Sequence, residues 1–278
     1  MIQISLAAEP VFHLGSFAVT NSLLHAGVTS VILIGLALVI SARLKMSPKG
    51  LQNIVEIIIS WLLDLADSIT GDRKKSVKFF PLVTTIFLFV FVSNYLGLLP
   101  GVGSIGFYEE IHGVMTFVPY LRSSAADLNM TLAISLITVI ATHTFGIAAL
   151  GFFQHWGKFI QLHKLFTIKK GFPIPRPLGV IDVFIGLLEL VGEVSKIISF
   201  SFRLFGNVFA GEVLLLVVTS LVAYVAPVPF YFLELFVGFI QAFVFATLAL
   251  VFLQVATIGH DEEEHEEQKE HKEEVPAH

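Results

Sequence analysis

Six charged side chains, Asp182, Glu189, Glu193, Lys196, Arg203 and Glu212, share one otherwise apolar stretch of 49 residues, Leu178 to Ala226, with Asn207 beside them. That stretch is more than twice the ~20 residues that cross a bilayer. Ionisable groups at membrane depth are costly enough to read as parts of an ion or proton path. Arg203 is the only arginine among them, and a guanidinium does not deprotonate in a protein, so its charge is permanent. In helical phase Asn207 lies on nearly the same face as Arg203. Glu189 falls about 40° away and ~21 Å before it, and Glu212 lies about 180° around. In the next apolar segment Glu234 and Gln241 are seven residues apart and share a face. A carboxylate on each axial side of a fixed positive charge, at different depths and on different faces, suits two access routes better than one pore.

The elements that must hold these groups follow from hydropathy. A first span runs from about Ser22 to Val39 and closes in a basic segment with Arg43, Lys45 and Lys49, which marks the cytoplasmic side. Leu51 to Ile69 carries a polar stripe, Glu56, Ser60, Asp64 and Asp67, opposed by Ile54, Ile58, Trp61, Leu62 and Leu65; it is expected as an amphipathic helix at the membrane surface. A second span opens at Pro81 and runs to Leu99, interrupted mainly by Asn94. Residues 101–128 form a lysine-free loop with Glu109, Glu110, Arg122 and Asp127, expected outside. A third span, about Asn129 to Phe153, returns to a basic loop with Lys158, Lys164, Lys169, Lys170 and Arg176. The 49-residue stretch would be ~73 Å long as one helix, so it must bend, break or tilt steeply in a ~30 Å hydrocarbon layer. Pro227 and Pro229 close it, and Phe230 to Ile258 is the last apolar segment. One crossing by the long stretch puts the N-terminus outside and the C-terminus in the cytoplasm; two crossings would put the tail outside.

Composition agrees with this layout. The chain has 278 residues, 55% hydrophobic and 14% charged, with mean hydropathy +0.83, against about 25% charged in soluble domains. The expected fold class is an all-α integral membrane protein of about five transmembrane helices plus one interfacial amphipathic helix. Residues 1–259 would form a single membrane domain and 260–278 an acidic, solvated tail. The tail holds nine of the 22 acids, so the formal charge of -5 is local to it. Without cysteine there is no disulfide, thiol catalysis or cysteine-zinc site. No cleavable signal peptide is expected, because the first positive charge follows the first apolar segment. Gly101 to Gly106 fits the dinucleotide spacing, but it follows a membrane span and has no βαβ setting. The tail histidines His260, His265, His271 and His278 lie among glutamates, and no metal or cofactor is expected; neither is nucleic acid. Structural roles compete at several positions. Glu193 and Lys196 can neutralise each other, Asn207 and Gln241 can act as glue between helices, Asp127 and Asn129 can cap a helix, and His143 can be a satisfied core group.

Ser201 to Glu212, SFRLFGNVFAGE, resembles the signature of subunit a of F-type ATP synthases; Asn94 to Gly101, Asp127 to Thr131 and Ile240 to Phe245 match further motifs in the family's order. The resemblance implies two long tilted C-terminal helices packed against a ring of c subunits. It also implies peripheral-stalk b subunits and other ATP synthase subunits as partners, and a bacterial inner membrane. In this family's pattern Arg203 faces a carboxylate on each ring subunit and separates two half-channels. Glu212, Glu234, Asn207 and Gln241 fall on positions of the outer channel, and Glu189 on a position of the inner one. The position of Glu234 is histidine in some members, so here two carboxylates would meet, and close carboxylates cannot both ionise cheaply. The implied function is that of a non-catalytic, proton-translocating stator subunit. An ion-coupled secondary transporter is the alternative, disfavoured by the absence of internal repeats; a scaffold without an ion path is disfavoured by the buried charges.

Overall fold

A computed structural model describes residues 8–258 apart from 43, 48, 112–113, 158–165, 170–171, 176–178 and 223–224. Arg43, Lys158, Lys164, Lys170, Arg176 and the acidic tail therefore lie outside the described residues. Seven helices carry the fold: α1 (Asn21–Ala42), α2 (Leu51–Thr70), α3 (Arg73–Gly97), α4 (Leu128–Leu150), the short α5 (Phe152–Gly157), α6 (Gly179–Leu221) and α7 (Pro227–Thr257). Three two-stranded hairpins decorate the connections: β1–β2 (Pro10–Leu14, Phe17–Thr20), β3–β4 (Gly106–Ile111, Val114–Pro119) and β5–β6 (Phe166–Lys169, Phe172–Pro175). The architecture is that of an all-α membrane protein. Among the described residues five helices are long and apolar enough to cross a membrane: α1, α3, α4, α6 over Phe184–Leu221, and α7. The sixth long helix, α2, carries three acids, Glu56, Asp64 and Asp67, and is not among them.

One expectation changes, and one open choice narrows. The second span does not open at Pro81: α3 starts at Arg73, because Asp72 caps it by accepting the Lys74 backbone N–H at 2.8 Å. Pro81 sits inside the helix, a position tolerated where neighbouring helices and hydroxyls satisfy the backbone; Thr85 Oγ donates to the Pro81 carbonyl at 2.7 Å. The long stretch does not break either. Gly179–Leu221 is one continuous helix of 43 residues, ~64 Å at standard rise, long enough to span a ~30 Å layer once with tilt or projection. A continuous helix supplies no turn of the kind that two crossings by this stretch would need.

Contacts divide the chain into two compact units, Met1–Ser135 with Ile198–Leu248, and Leu136–Ile197 with Ala249–His278. In the first, α2 turns into α3 through Gly71, whose φ of 64° suits a left-handed cap, and its N–H returns to the Asp67 carbonyl at 3.0 Å. Leu62 and Ala66 of α2 are buried with Phe79, Val83, Phe87 and Val90 of α3. Trp61 stacks on Phe243 of α7 at 5.4 Å and meets Phe87 edge-on at 6.0 Å. Ala242 and Ala246 are fully buried, the small residues that let membrane helices approach closely.

Hydroxyl pairs fasten this unit where no water competes. Ser93 meets Ser124 at 2.6 Å and Thr131 meets Ser201 at 3.1 Å. Asp127 caps α4 by accepting the Asn129 N–H at 2.9 Å, and its other oxygen accepts from Ser22 of α1 at 2.6 Å. The capping reading of Asp127 holds, and the same carboxylate also ties two helices together.

Candidate functional site

α6 presents two faces in the first unit. Phe200, Ser201, Leu204 and Gly211 are buried, following the three-and-four spacing of one helical stripe. Arg203, Gly206, Asn207 and Ala210 lie on an exposed edge beside exposed Ile198 and Phe202. Arg203 donates to Ser199 Oγ one turn back, at 3.5 Å, its one hydrogen bond among the described residues. Among the described residues no carboxylate comes within 4 Å of its guanidinium. A permanent charge thus lies on an exposed helix face with no carboxylate counter-ion among the described residues.

Next to that edge, α3, α6, α7 and the turn before α4 enclose a narrow cavity. Asn94, Ser123, Asn207, Glu212, Glu234 and Gln241 supply its polar groups. About 20 Å³ is open to the centre of a water-sized sphere, room for about one water. Asn207 Nδ2 donates to Gln241 Oε1 at 2.6 Å, and Asn94 Nδ2 donates to the Gly238 carbonyl at 3.2 Å. Gly238 lets this happen: a Cβ there would lie 3.3 Å from that of Asn94. Gly211 has a similar role. The Glu234 carboxylate occupies the space a Cβ at position 211 would fill, which seats it beside the backbone that carries Glu212. The two carboxyls lie within electrostatic reach of each other.

Glu212 does not stand alone. Arg122, from the loop before α4, donates from Nε to Glu212 Oε2 at 3.2 Å, and its guanidinium carbon lies 5.9 Å from the centroid of Phe209. The Arg122 side chain is 11% exposed and that of Glu212 32%. Glu9, just before β1, is in reach of Arg122 and Glu109. Burial raises its carboxyl above the usual range, against the pull of Arg122 and with a smaller push from Glu109.

Of the six residues picked from sequence, Glu212, Glu234, Asn207 and Gln241 meet on one cavity, and Arg203 lies one helical turn from Asn207 on the exposed edge. Glu189 belongs to the second unit, half-buried on α6. Arg122 was missed as a site residue. Its signal was its position as the lone base of a lysine-free loop, opposite a span that carries spare acids. Asn94 was visible as the polar interruption of its span, without a role.

The family model described as ATP synthase A chain matches residues 23–254. Among curated relatives, ATP synthase subunit a of Syntrophobacter fumaroxidans is 34% identical over 239 residues, covering 86% of this chain and 84% of the relative. The protein of the same description in Helicobacter pylori strain P12 is 32% identical over 252 residues, covering 89% and 96%. That of Campylobacter jejuni strain 81-176 is 32% identical over 234 residues, covering 84% and 88%.

Proposed function

The chain belongs to the ATP synthase A chain family, and from that premise we propose that it moves protons by loading and unloading carboxylates on a rotating ring of c subunits through two half-channels. It is a multi-pass membrane subunit of the complex and not the subunit that makes or hydrolyses ATP. Family membership sets the transporter alternative aside.

Arg203 carries the reading: a fixed positive charge on an uncovered apolar face, with no carboxylate partner among the described residues. A neutral ring carboxylic acid tolerates lipid, whereas the unpaired anion costs several kcal/mol or more there. Opposite Arg203 the order reverses, because attraction at ~4 Å and an effective dielectric of ~20 is about 4 kcal/mol. A ring site thus gives up its proton on reaching Arg203 and must regain one before re-entering lipid. The cavity of Asn207, Glu212, Glu234 and Gln241 serves the outer side, and Glu189 belongs to the inner route. Arg203 separates the two by repelling a hydronium and by holding the bare carboxylate. The N-terminus lies outside and the C-terminus in the cytoplasm, residues 1–259 act as one membrane domain, and b subunits anchor the stator.

The test is Arg203→Ala in the assembled complex. ATP-driven proton pumping into inverted membrane vesicles is expected to vanish while a ring of small apolar subunits still co-purifies; undiminished pumping would refute the assignment. Proton movement across 100 mV yields ~2.3 kcal/mol per charge, so the readout must sum many ring steps.

A further inference from the structure

A buried histidine on α1 takes no part in the proposed routes. His25 lies one turn past Asn21 and is 2% exposed. Its Nδ1 accepts the backbone N–H of Ser124 at 3.3 Å, from 99 residues along the chain. An imidazole nitrogen that accepts carries no proton, so the neutral ring keeps its proton on Nε2. That Nε2 is buried without a hydrogen-bond partner. Leaving a buried donor unmet costs free energy, and a leucine of similar bulk would avoid the cost. What the imidazole contributes is its other nitrogen.

The peptide it holds begins a turn. Ser124–Ala126 is one turn of 3-10 helix, in which the Ala126 N–H returns to the Ser123 carbonyl and the Asp127 N–H to the Ser124 carbonyl. The first N–H groups of a helical turn have no partner inside it; His25 supplies one from another helix. Ser93 of α3 is a second tie, its hydroxyl 2.6 Å from that of Ser124. Gly97, one turn further along α3, makes room, since a Cβ there would lie 2.9 Å from that of Ser123. The two residues just before the tie are those that reach Glu212. Arg122 Nε donates to Oε2 at 3.2 Å, and the Ser123 backbone N–H is directed to the same carboxylate. Because Arg122, Ser123 and Ser124 are consecutive, a shift of the pinned peptide moves both donors. Ser123 also lines the cavity with Glu212 and Glu234.

We propose that His25 is a positioning residue for proton exchange at Glu212: with Ser93 it pins the Arg122–Ser124 segment as a two-donor cradle that holds the carboxylate at the cavity. The proposal rests on the half-channel reading and deepens it, by assigning the geometry of the outer route to α1, a helix that lends no side chain to the cavity. Proton transfer needs donor and acceptor within hydrogen-bond reach, and a small misplacement at the reacting group costs rate steeply. His25 neither gives nor takes a proton in this role; its Nδ1 stays an acceptor throughout. A core-filling role explains the burial of His25, but neither its unmet Nε2 nor the choice of Ser124 as partner.

The experiment uses the assembled complex in inverted vesicles, at amounts matched by ring co-purification. His25→Leu keeps the bulk and loses the acceptor; ATP-driven pumping is expected to slow about fivefold, the scale of one hydrogen bond lost. His25→Asn places Oδ1 where Nδ1 stood and is expected to recover most of the rate. Ser93→Ala adds no volume, so it covers the case of a leucine variant that fails to assemble, and is expected to slow pumping about twofold. In a Glu212→Gln background neither His25→Leu nor Ser93→Ala is expected to slow pumping further, because the group the cradle holds no longer exchanges protons; a packing defect would multiply instead. Parental rates in both His25→Leu and Ser93→Ala would overturn the proposal. So would an asparagine variant no better than leucine, or losses that multiply with Glu212→Gln. If Arg203→Ala abolishes pumping and Glu212→Gln slows it while His25→Leu and Ser93→Ala pump normally, the cradle fails and the half-channel reading stands. If Arg203→Ala pumps normally, the half-channel reading itself fails.

Discussion

Arg122 and Arg203 have the same side chain in opposite situations. Arg122 is 11% exposed and holds Glu212 at 3.2 Å, so its charge is answered within the chain. Arg203 stands on an exposed edge, where among the described residues it makes one long hydrogen bond, to Ser199. A paired arginine shapes the site around it, whereas an unpaired one on a greasy face states what its partner must bring. Under the proposed function the difference separates a residue that would organise an inlet from one that would act on a moving acid.

The comparison can be broken in order of expected effect. Arg203→Lys keeps a positive charge but loses the fixed protonation and the planar fork of donors. Pumping is expected to fall to near background, and a lysine variant that pumps well would mean that any cation suffices. Arg122→Ala leaves Glu212 without its counter-charge. Removing one partner of a buried pair costs about 3–5 kcal/mol, and the partial exposure of Glu212 lowers this to roughly 1–2 kcal/mol by solvent screening. The expected result is a pumping defect of roughly tenfold, partly relieved when Glu212→Gln is combined with it. A double variant no better than Arg122→Ala would show that the two act separately.

Glu212→Gln and Glu234→Gln should each slow pumping, with a combined effect smaller than the product of the two, because both line one cavity; multiplicative effects would argue against a shared proton. The smallest change is Gly211→Ala. It pushes the Glu234 carboxylate from its seat against α6, and pumping is expected to drop only a few-fold, since a flexible side chain can move aside. No change at all would mean that the seat has no part in transfer.

Much of the fold was legible because membrane spans announce themselves: in lipid every backbone group must be satisfied internally, and long apolar runs leave few other readings. The start of α3 is not legible from its proline: Pro81 fits a helix opening, while Asp72, nine residues earlier, does the capping. The hairpins are hard to read from sequence because their strands are only four to six residues long, too short for alternation to stand out beside long apolar spans. Gly106 shows how local the requirement is: a Cβ there would strike the Val118 backbone, and no periodicity records that. In the site, the residues of α6 and α7 were legible through their charge in an apolar setting. Arg122 was not, since its partner lies 90 residues away in sequence. Outside the site, the contact of His143 with His155 is equally hidden: Gly151, at φ 86°, lies between the helices that carry them, and helical phase could not bring them together on paper.

The chain has no cysteine, which makes one direct measurement clean. Ala210 lies on the same exposed edge as Arg203, two turns on. With Ala210→Cys paired against a cysteine beside the ring carboxylate, mild oxidation of the assembled complex is expected to cross-link this chain to a c subunit. The same treatment from Val31→Cys, on the exposed face of α1, is expected to yield none. A cross-link from position 210 places the Arg203 edge against the rotor. Its absence in an assembled complex, or equal cross-linking from position 31, would contradict the account.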